Sequence, residues 1–355
     1  MVRRGHLEHA ALDRRQPPTQ VRDSSLRPRG FRARPRGTRR ALQGVPRTFW
    51  RRAGEVMAPC ASRKRPLDAN MAGRTCLVTG STDGHGKAMA MLLAARGADL
   101  VLHARNEEKV RAVQDEIARS TGGRVPEILL ADLASSSAID HAVERYRASG
   151  RPLHVLVNNA GLVALSRQTN EAGLELTFAV NYLALFRLTL GLLPRLEESG
   201  PARIVNISSD AYRIARLDFE NLQLARGYSM AKAYGQSKLA ILYFTLELAR
   251  RIRGSGVTVN AVDPGPVASN IGANNPGLAY RLVGPMIRSL FPSAPRAART
   301  ALWVATDPAL VAATGGYYRS LVRREEPLDF DDELSRRLWQ ESLDLSGMED
   351  DPLAR

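Results

Sequence analysis

The sequence predicts an α/β fold: a doubly wound parallel sheet with helices on both faces, built as a single domain. Three observations predict it. From Arg74 onward, short apolar runs alternate with longer segments of helical pattern. The runs are continuously apolar, as strands are when both faces of their sheet are covered. A glycine-rich turn, Thr79-Gly80-Ser81-Thr82-Asp83-Gly84-His85-Gly86, falls where the first strand gives way to the first helix.

In chain order, strands are expected at Thr75–Thr79, Asp99–Ala104, Val125–Leu130, His154–Val157, Arg203–Ser208, Val257–Val262 and Gly316–Ser320. Helices are expected between them at Lys87–Arg96, Glu107–Ser120, Ser136–Ala148 and Lys238–Arg253. The last places Leu239, Leu242, Leu246 and Ala249 on one stripe and closes with basic residues before Gly254. One catalytic domain over residues 72–330 accounts for the body, and residues 331–355 supply a C-terminal helix, Asp331–Leu345, and a tail. Residues 1–70 are Arg-, Pro- and Gly-rich, hold no lasting apolar period, and are expected to be disordered. They lack the apolar stretch of a secretory signal. The natural start is expected downstream, at Met57 or at Met71, directly before the first strand.

The net charge of +15 suggests nucleic acid until it is divided along the chain. Residues 1–70 hold 18 of the 51 Lys+Arg and 5 of the 36 Asp+Glu, leaving the body with 33 basic against 31 acidic side chains. A nearly neutral body has no extended basic groove, so nucleic acid is not an expected partner of the fold. The basic arm leaves one alternative, contact with RNA or anionic lipid. Two cysteines, Cys60 and Cys76, are too few for a disulfide framework and lack metal-ligand spacing, so no metal is expected. The apolar stretches read as shorter than the roughly 18–20 residues of a membrane span. A cytoplasmic location is expected, with self-association and peripheral membrane contact left open.

In the glycine turn, Gly80 permits a tight reversal, while Gly84 and Gly86 allow close approach to a pyrophosphate. The helix amides behind them carry the positive end of a dipole. Here the sequence resembles the short-chain dehydrogenase/reductase family, over residues 72–325. Besides the turn, Asn158-Asn159-Ala160-Gly161 matches the family's N-N-A-G turn, and Pro264-Gly265 its P-G turn. Asn181, Ser209, Tyr234 and Lys238 match its catalytic positions. More narrowly, Leu239 through Gly256 and the long Ser-to-Tyr spacing resemble the retinol dehydrogenase-like branch. His85 departs from the pattern, which usually has an aliphatic residue there. The resemblance implies a Rossmann-type fold and hydride transfer between a nicotinamide cofactor, NAD(P)(H), and an alcohol or carbonyl substrate. It also implies cofactor contacts from the glycine turn, Asp132, Leu133, Asn159, Ala160, Gly161, Tyr234, Lys238, Pro264, Gly265 and Val267.

Oxidising an alcohol needs a group that takes the hydroxyl proton, and a free tyrosine, with a pKa near 10, is a poor base at neutral pH. A nearby ammonium lowers it. Tyr234 and Lys238 stand four apart, on one face if helical. The resemblance further implies that Ser209 orients substrate, that Lys238 holds the nicotinamide ribose, and that Asn181 anchors a water relay. Tyr228 and Lys232 form a second Y-x-x-x-K match. The later pair is preferred, because Lys238 is expected to open the long helix and both tyrosines of such a helix cannot face one site. Ser208 and Ser209 point to opposite faces, so one serine serves. Asp132 has an alternative role as a helix cap, shared with Ser135.

The second strand ends His103-Ala104-Arg105-Asn106, without the carboxylate that an NAD enzyme places on the ribose 2′-hydroxyl. Arg105 suits a 2′-phosphate, so NADP is expected over NAD. After Gly265, Leu278, Leu282, Val283, Met286, Ile287, Leu290 and Phe291 make one helical stripe, read as a lid over a bulky apolar substrate or as a core-packing helix. Other functions in view are a cofactor-binding regulator without turnover and nucleic-acid contact through the arm.

Overall fold

Apolar strands that must be covered on both faces stack side by side and leave their connections to the helices. The computed structural model describes residues 67, 69–265, 293–324, 331–348 and 350–354, all within the unit Ser62–Arg355. The chain runs β1 (Thr75–Thr79), α1 (Gly84–Ala94), β2 (Asp99–Ala104), α2 (Glu107–Ser120), β3 (Glu127–Leu130), α3 (Ser136–Ala148) and β4 (Val155–Asn158). It continues through α4 (Leu176–Phe178), a π-helical turn (Ala179–Leu183), α5 (Ala184–Ser199), β5 (Ala202–Ile207), α6 (Met230–Arg251) and β6 (Val257–Asp263). It closes with α7 (Ala294–Thr306), β7 (Tyr317–Arg319), β8 (Val322–Arg323) and α8 (Asp332–Ser346).

The sheet order is β3-β2-β1-β4-β5-β6-β7-β8, parallel except for the short antiparallel β8. The winding direction reverses between β1 and β4, opening a crevice at their carboxyl ends. One face is covered by a core that includes Leu156, Phe186, Ile241 and Trp339, the other by one that includes Val78, Leu93, Val110 and Trp303. The C-terminal helix α8 belongs to the first core. Trp339 stacks on Phe244 at 5.9 Å between ring centroids, and the Arg251 guanidinium lies 4.2 Å over the Trp339 ring.

Several expected boundaries shift, each for a local reason. The long helix α6 begins at Met230, capped by Ser229, whose hydroxyl accepts from the Lys232 amide, and not at Lys238. Helix α1 begins at Gly84, capped by Asp83, and not at Lys87. Strand β3 starts at Glu127 because Pro126 offers no amide to a ladder, and Val125 before it is exposed. Strand β4 starts at Val155, since the preceding His154 accepts the Thr75 amide on its ring Nδ1 at 3.0 Å. The folded body also reaches further back than residue 72: Met71 is buried, and Arg96 Nε donates to the Leu67 carbonyl at 2.6 Å. The rest of the basic segment, Val267 and the apolar stripe 278–291 lie outside the described residues.

One helical stretch, Leu176–Ser199, is long and apolar enough to cross a membrane, contrary to the expectation from the sequence. Most of it is buried inside the protein, where the rings of Phe178, Tyr182 and Phe186 pack at tilted angles along the core. It is a core helix.

His103, at the carboxyl end of β2, is 2% exposed, and neither ring nitrogen makes an aligned hydrogen bond. Burial pushes its pKa down to about 4, against the opposing pull of the Ala131 backbone and the Asp132 carboxylate. The unfolded chain therefore protonates first as pH falls, so this contribution to stability is full above about 6.5 and lost toward about 4. Urea denaturation should lose roughly 3 kcal/mol through this group across that window. His103→Leu should flatten the slope; an unchanged slope would show that His103 titrates normally.

Candidate active site

The site forms where the carboxyl ends of β1, β4, β5 and β6 meet the amino ends of α1 and α6. At β1 the connection is made by Thr79. Its hydroxyl accepts the amides of Asn159 and Ala160 at 2.8 and 2.9 Å, tying the first strand to the N-N-A-G turn. Asn159 returns the link through Nδ2, which donates to the Thr79 carbonyl at 2.8 Å. Ser81 is turned away, its amide and hydroxyl both donating to the His103 carbonyl at 3.2 Å.

Because α1 starts at Gly84, the last two glycines of the turn lie in its first helical turn, where backbone amides have no intrahelical acceptor. A Cβ on Gly86 would stand 2.2 Å from the Gly80 carbonyl oxygen and 2.3 Å from Asn159 Nδ2. Gly80 itself has φ +64°, and its Cβ would meet Ala160 Cα at 2.9 Å. Side chains would fill this cradle, and open amides at a helix amino end suit the anionic pyrophosphate of a dinucleotide. The residues therefore fit a nicotinamide cofactor.

His85 contributes more than its backbone amide. Its Nδ1 donates to Asn159 Oδ1 at 2.8 Å, the oxygen left free because Asn159 Nδ2 serves the turn carbonyls. Burial lowers its pKa, the Asn159 bond partly opposing, so the ring is neutral at physiological pH. An aliphatic residue could not make this bond. The other expected cofactor residues surround the crevice. Arg105 is exposed just past β2; Asp132 is exposed past β3, where its carboxylate accepts from the Ala134 amide at 2.9 Å. Ser135, and not Asp132, caps α3. Leu133 is buried, and Gly161, Pro264 and Gly265 are half-buried.

The structure brings Ser209, Tyr234, Lys238 and Asn181 together. Lys238 is 4% exposed, its Nζ donating to the Ile207 carbonyl at 2.9 Å and standing 5.5 Å from the Tyr234 ring centroid. Burial pulls its pKa down to about 8, and Asp263 opposes this. Burial pushes the Tyr234 phenol up, with the Ser209 hydroxyl as a hydrogen-bond partner that lowers it and Asp263 adding to the rise. Burial, more than the neighbouring ammonium, thus governs the phenol. Ser208 points the other way, its hydroxyl donating to the Lys238 carbonyl at 3.0 Å.

Asn181 sits in the π-helical turn, and its side chain is fully engaged. Oδ1 accepts the Leu162 amide at 2.7 Å, while Nδ2 donates to the Leu162 carbonyl at 3.0 Å and to Ser237 Oγ at 3.1 Å. Tyr228 precedes α6, so the helical comparison of the two tyrosines does not apply. Its hydroxyl donates to the Ala164 carbonyl at 2.8 Å, and exposed Lys232 donates to Gly227 at 3.2 Å. The sequence reading missed Asp263, Asp210 and Arg319 near this site; the position of Asp263 before Pro264-Gly265 was the available signal.

Residues 74–276 match the short chain dehydrogenase family. Human retinol dehydrogenase 13 is 37% identical over 290 residues, which cover 80% of this chain and 88% of the relative. Human polyprenol dehydrogenase is 35% identical over 287 residues, covering 78% and 86%. Among solved structures, 3-oxoacyl (acyl-carrier-protein) reductase from Agrobacterium tumefaciens C58, with NADP bound, superimposes with a TM-score of 0.58 at 26% identity, covering 72% of this chain and 96% of that one.

The contacts at Gly86 make a direct test. Gly86→Ala would drive its methyl into backbone and the Asn159 amide. It should weaken NAD(P)(H) binding, followed by quenching of intrinsic fluorescence, by more than about tenfold, and cost about 1–3 kcal/mol of stability. Wild-type affinity in that variant would place the cofactor elsewhere.

Proposed function

This chain belongs to the short chain dehydrogenase family and is an NAD(P)-dependent oxidoreductase acting on CH–OH groups; from that premise, we propose that it interconverts an alcohol and its carbonyl on a bulky apolar substrate, with NADP(H) as cofactor. The observation that carries this reading is the convergence of Ser209, Tyr234 and Lys238 at the carboxyl end of β5.

The bound nicotinamide would supply the hydride chemistry; the chain supplies orientation and the proton. Ser209 holds the substrate oxygen beside the Tyr234 hydroxyl. At neutral pH the buried phenol is protonated, the form that gives a proton to a carbonyl oxygen, whereas alcohol oxidation requires the phenolate. The Lys238 ammonium stabilises that phenolate and would hold the nicotinamide ribose when the cofactor binds. The Asn181 side chain bonds Leu162 and Ser237, so it holds the turn after β4 against α6 beside the pair.

Three exposed apolar residues support a bulky substrate. Leu165 follows β4, Ile214 ends the turn after Ser209, and Met230 opens α6, at 60%, 78% and 42% exposure. Retinol and polyprenol, named in two of the relatives, are both long apolar alcohols, consistent with exposed apolar side chains on the segments that carry the site residues.

Preference for NADP rests on exposed Arg105, whose guanidinium can pair with a 2′-phosphate. Arg105→Asp should weaken NADP(H) binding roughly ten- to a hundredfold and leave NAD(H) little affected, read by direct titration. A wild-type protein that prefers NAD would overturn the assignment. For the chemistry, Tyr234→Phe should reduce turnover at least about a hundredfold while NADP affinity stays near wild type. Tyr228→Phe should keep most of the activity, because its hydroxyl is committed to Ala164. Following NADPH absorbance over ketones, aldehydes and long-chain alcohols would decide both points, and the reverse order of effects would transfer the catalytic role to Tyr228.

A further inference from the structure

A carboxylate at the end of β6 stands behind the active-site pair. Asp263 is 2% exposed, and burial pushes its carboxyl pKa up, with the Gly265 amide and the Lys238 ammonium opposing the rise and favouring the charged form. One oxygen accepts the Gly265 amide at 2.8 Å, and the other lies 3.3 Å from Arg319 Nε on the neighbouring strand β7. Arg319 also pairs with Asp210, the residue after Ser209. Asp210 in turn accepts from the Tyr317 hydroxyl at 2.8 Å and meets Arg213 at 3.5 Å. A chain of alternating charge therefore runs from the Ser209 turn across β7 to the carboxylate that precedes Pro264-Gly265.

Lys238 Nζ is bonded to the Ile207 carbonyl, and Ile207 stands opposite Val262, the residue before Asp263, in the β5–β6 ladder, where the Ser208 amide donates to the Val262 carbonyl at 2.8 Å. The ammonium and the carboxylate therefore meet at the same end of the sheet, and the charge of Asp263 acts on both Tyr234 and Lys238. Arg324, beyond β8, and Arg213 add positive charge near Asp263, and the His85 ring of α1 lies within reach of the Lys238 charge. Among the described residues the Lys238 ammonium, 4% exposed, has the Ile207 carbonyl as its hydrogen-bond partner, and a single carbonyl compensates a buried charge poorly.

We propose that Asp263 is the counter-charge of the Tyr234–Lys238 pair, a positioning residue itself held in place by Arg319. This rests on the reading of Tyr234 and Lys238 as the working pair. The sign follows from electrostatics: removing a nearby negative charge makes it easier for both groups to lose a proton, so both titrations move to lower pH. Removing Arg319 unmasks the carboxylates and moves them to higher pH.

The test uses the full chain without cofactor. It holds five lysines, so a spectrum labelled with 13C at lysine Cε has few signals, and Lys238→Arg identifies the one that matters. In wild type that signal should titrate near 8. In Asp263→Asn the midpoint should fall by about one pH unit, and Asp263→Glu should restore it. Arg319→Gln should raise it and Arg319→Lys should leave it near wild type, which keeps the proposal testable if Asp263→Asn does not fold. The alkaline limb of the pH–rate profile should move with the NMR midpoint, whereas a purely structural role would lower the rate at every pH without moving the limb. An unchanged Lys238 midpoint in Asp263→Asn, or a fall in Arg319→Gln, overturns the proposal. Because the titration involves neither cofactor nor substrate, a wild type that turns over no alcohol or carbonyl would overturn the proposed function alone.

Discussion

Two hydrogen bonds between Lys238 and the end of β5 set the geometry on which the site depends. Lys238 Nζ donates to the Ile207 carbonyl, and the Lys238 carbonyl accepts from the Ser208 hydroxyl, so one residue of α6 grips the last residue of the strand and the one after it. Ser209 follows immediately, and its direction is fixed as a result. Tyr234 lies one turn back along the same helix, so the distance from its hydroxyl to Ser209 is set by the same grip. The other crosslinks repeat this device at neighbouring strand ends. Thr79 ties β1 to the turn after β4, and Asn181 ties that turn to Ser237 of α6. Loops at a strand's carboxyl edge are held here by side chains bonded to backbone, which fixes positions with little demand on the identity of the loop residues between.

That economy explains what could be read from the sequence. Continuous apolar strands and the glycine turn carry their own periodicity and composition, and strand β2, helix α2 and helix α3 keep the bounds they predict. The start of α6 does not. Met230 through Ser237 show no apolar stripe, because this stretch packs against the short turn after Ser209 and the crevice, not the main core. A Cβ on Gly235 would meet the Ala211 carbonyl at 2.9 Å, so the helix advertises itself there by a small residue where an apolar one would be sought. The π-helical turn at Asn181 is equally silent in sequence, since a shift of hydrogen-bond register leaves the residue types unchanged. The place of α8 in the main core could not be read either. Its own stripe is apolar, but the partners, Phe186 and Phe244, lie on distant helices.

The family pattern identified which residues gather at the site and said less about their electrostatics. Spacing alone put an ammonium beside a phenol and implied that the first would depress the second. Three-dimensional burial reverses the emphasis: the phenol is held up and the ammonium down, each by the loss of water. A sequence records which charges exist but not how far each is withdrawn from solvent. His85 makes the same point from the other side. A residue that looks foreign to the glycine turn is accommodated because Asn159 keeps an oxygen free for its ring.

Buried polar groups need not be paired in the order the chain presents them. Asp210 and Asp263 are separated by more than the whole of α6, yet Arg319 joins them across the edge of the sheet. The register Asp263↔Arg319 between β6 and β7 sets those two residues opposite each other, so the pairing is a consequence of strand order as much as of charge. Strand β7 contributes no side chain to the family's catalytic positions, and its three residues would pass for an edge closure. Through this register it instead presents a guanidinium to the back of the site, which is a physical reason for the sheet to extend beyond β6.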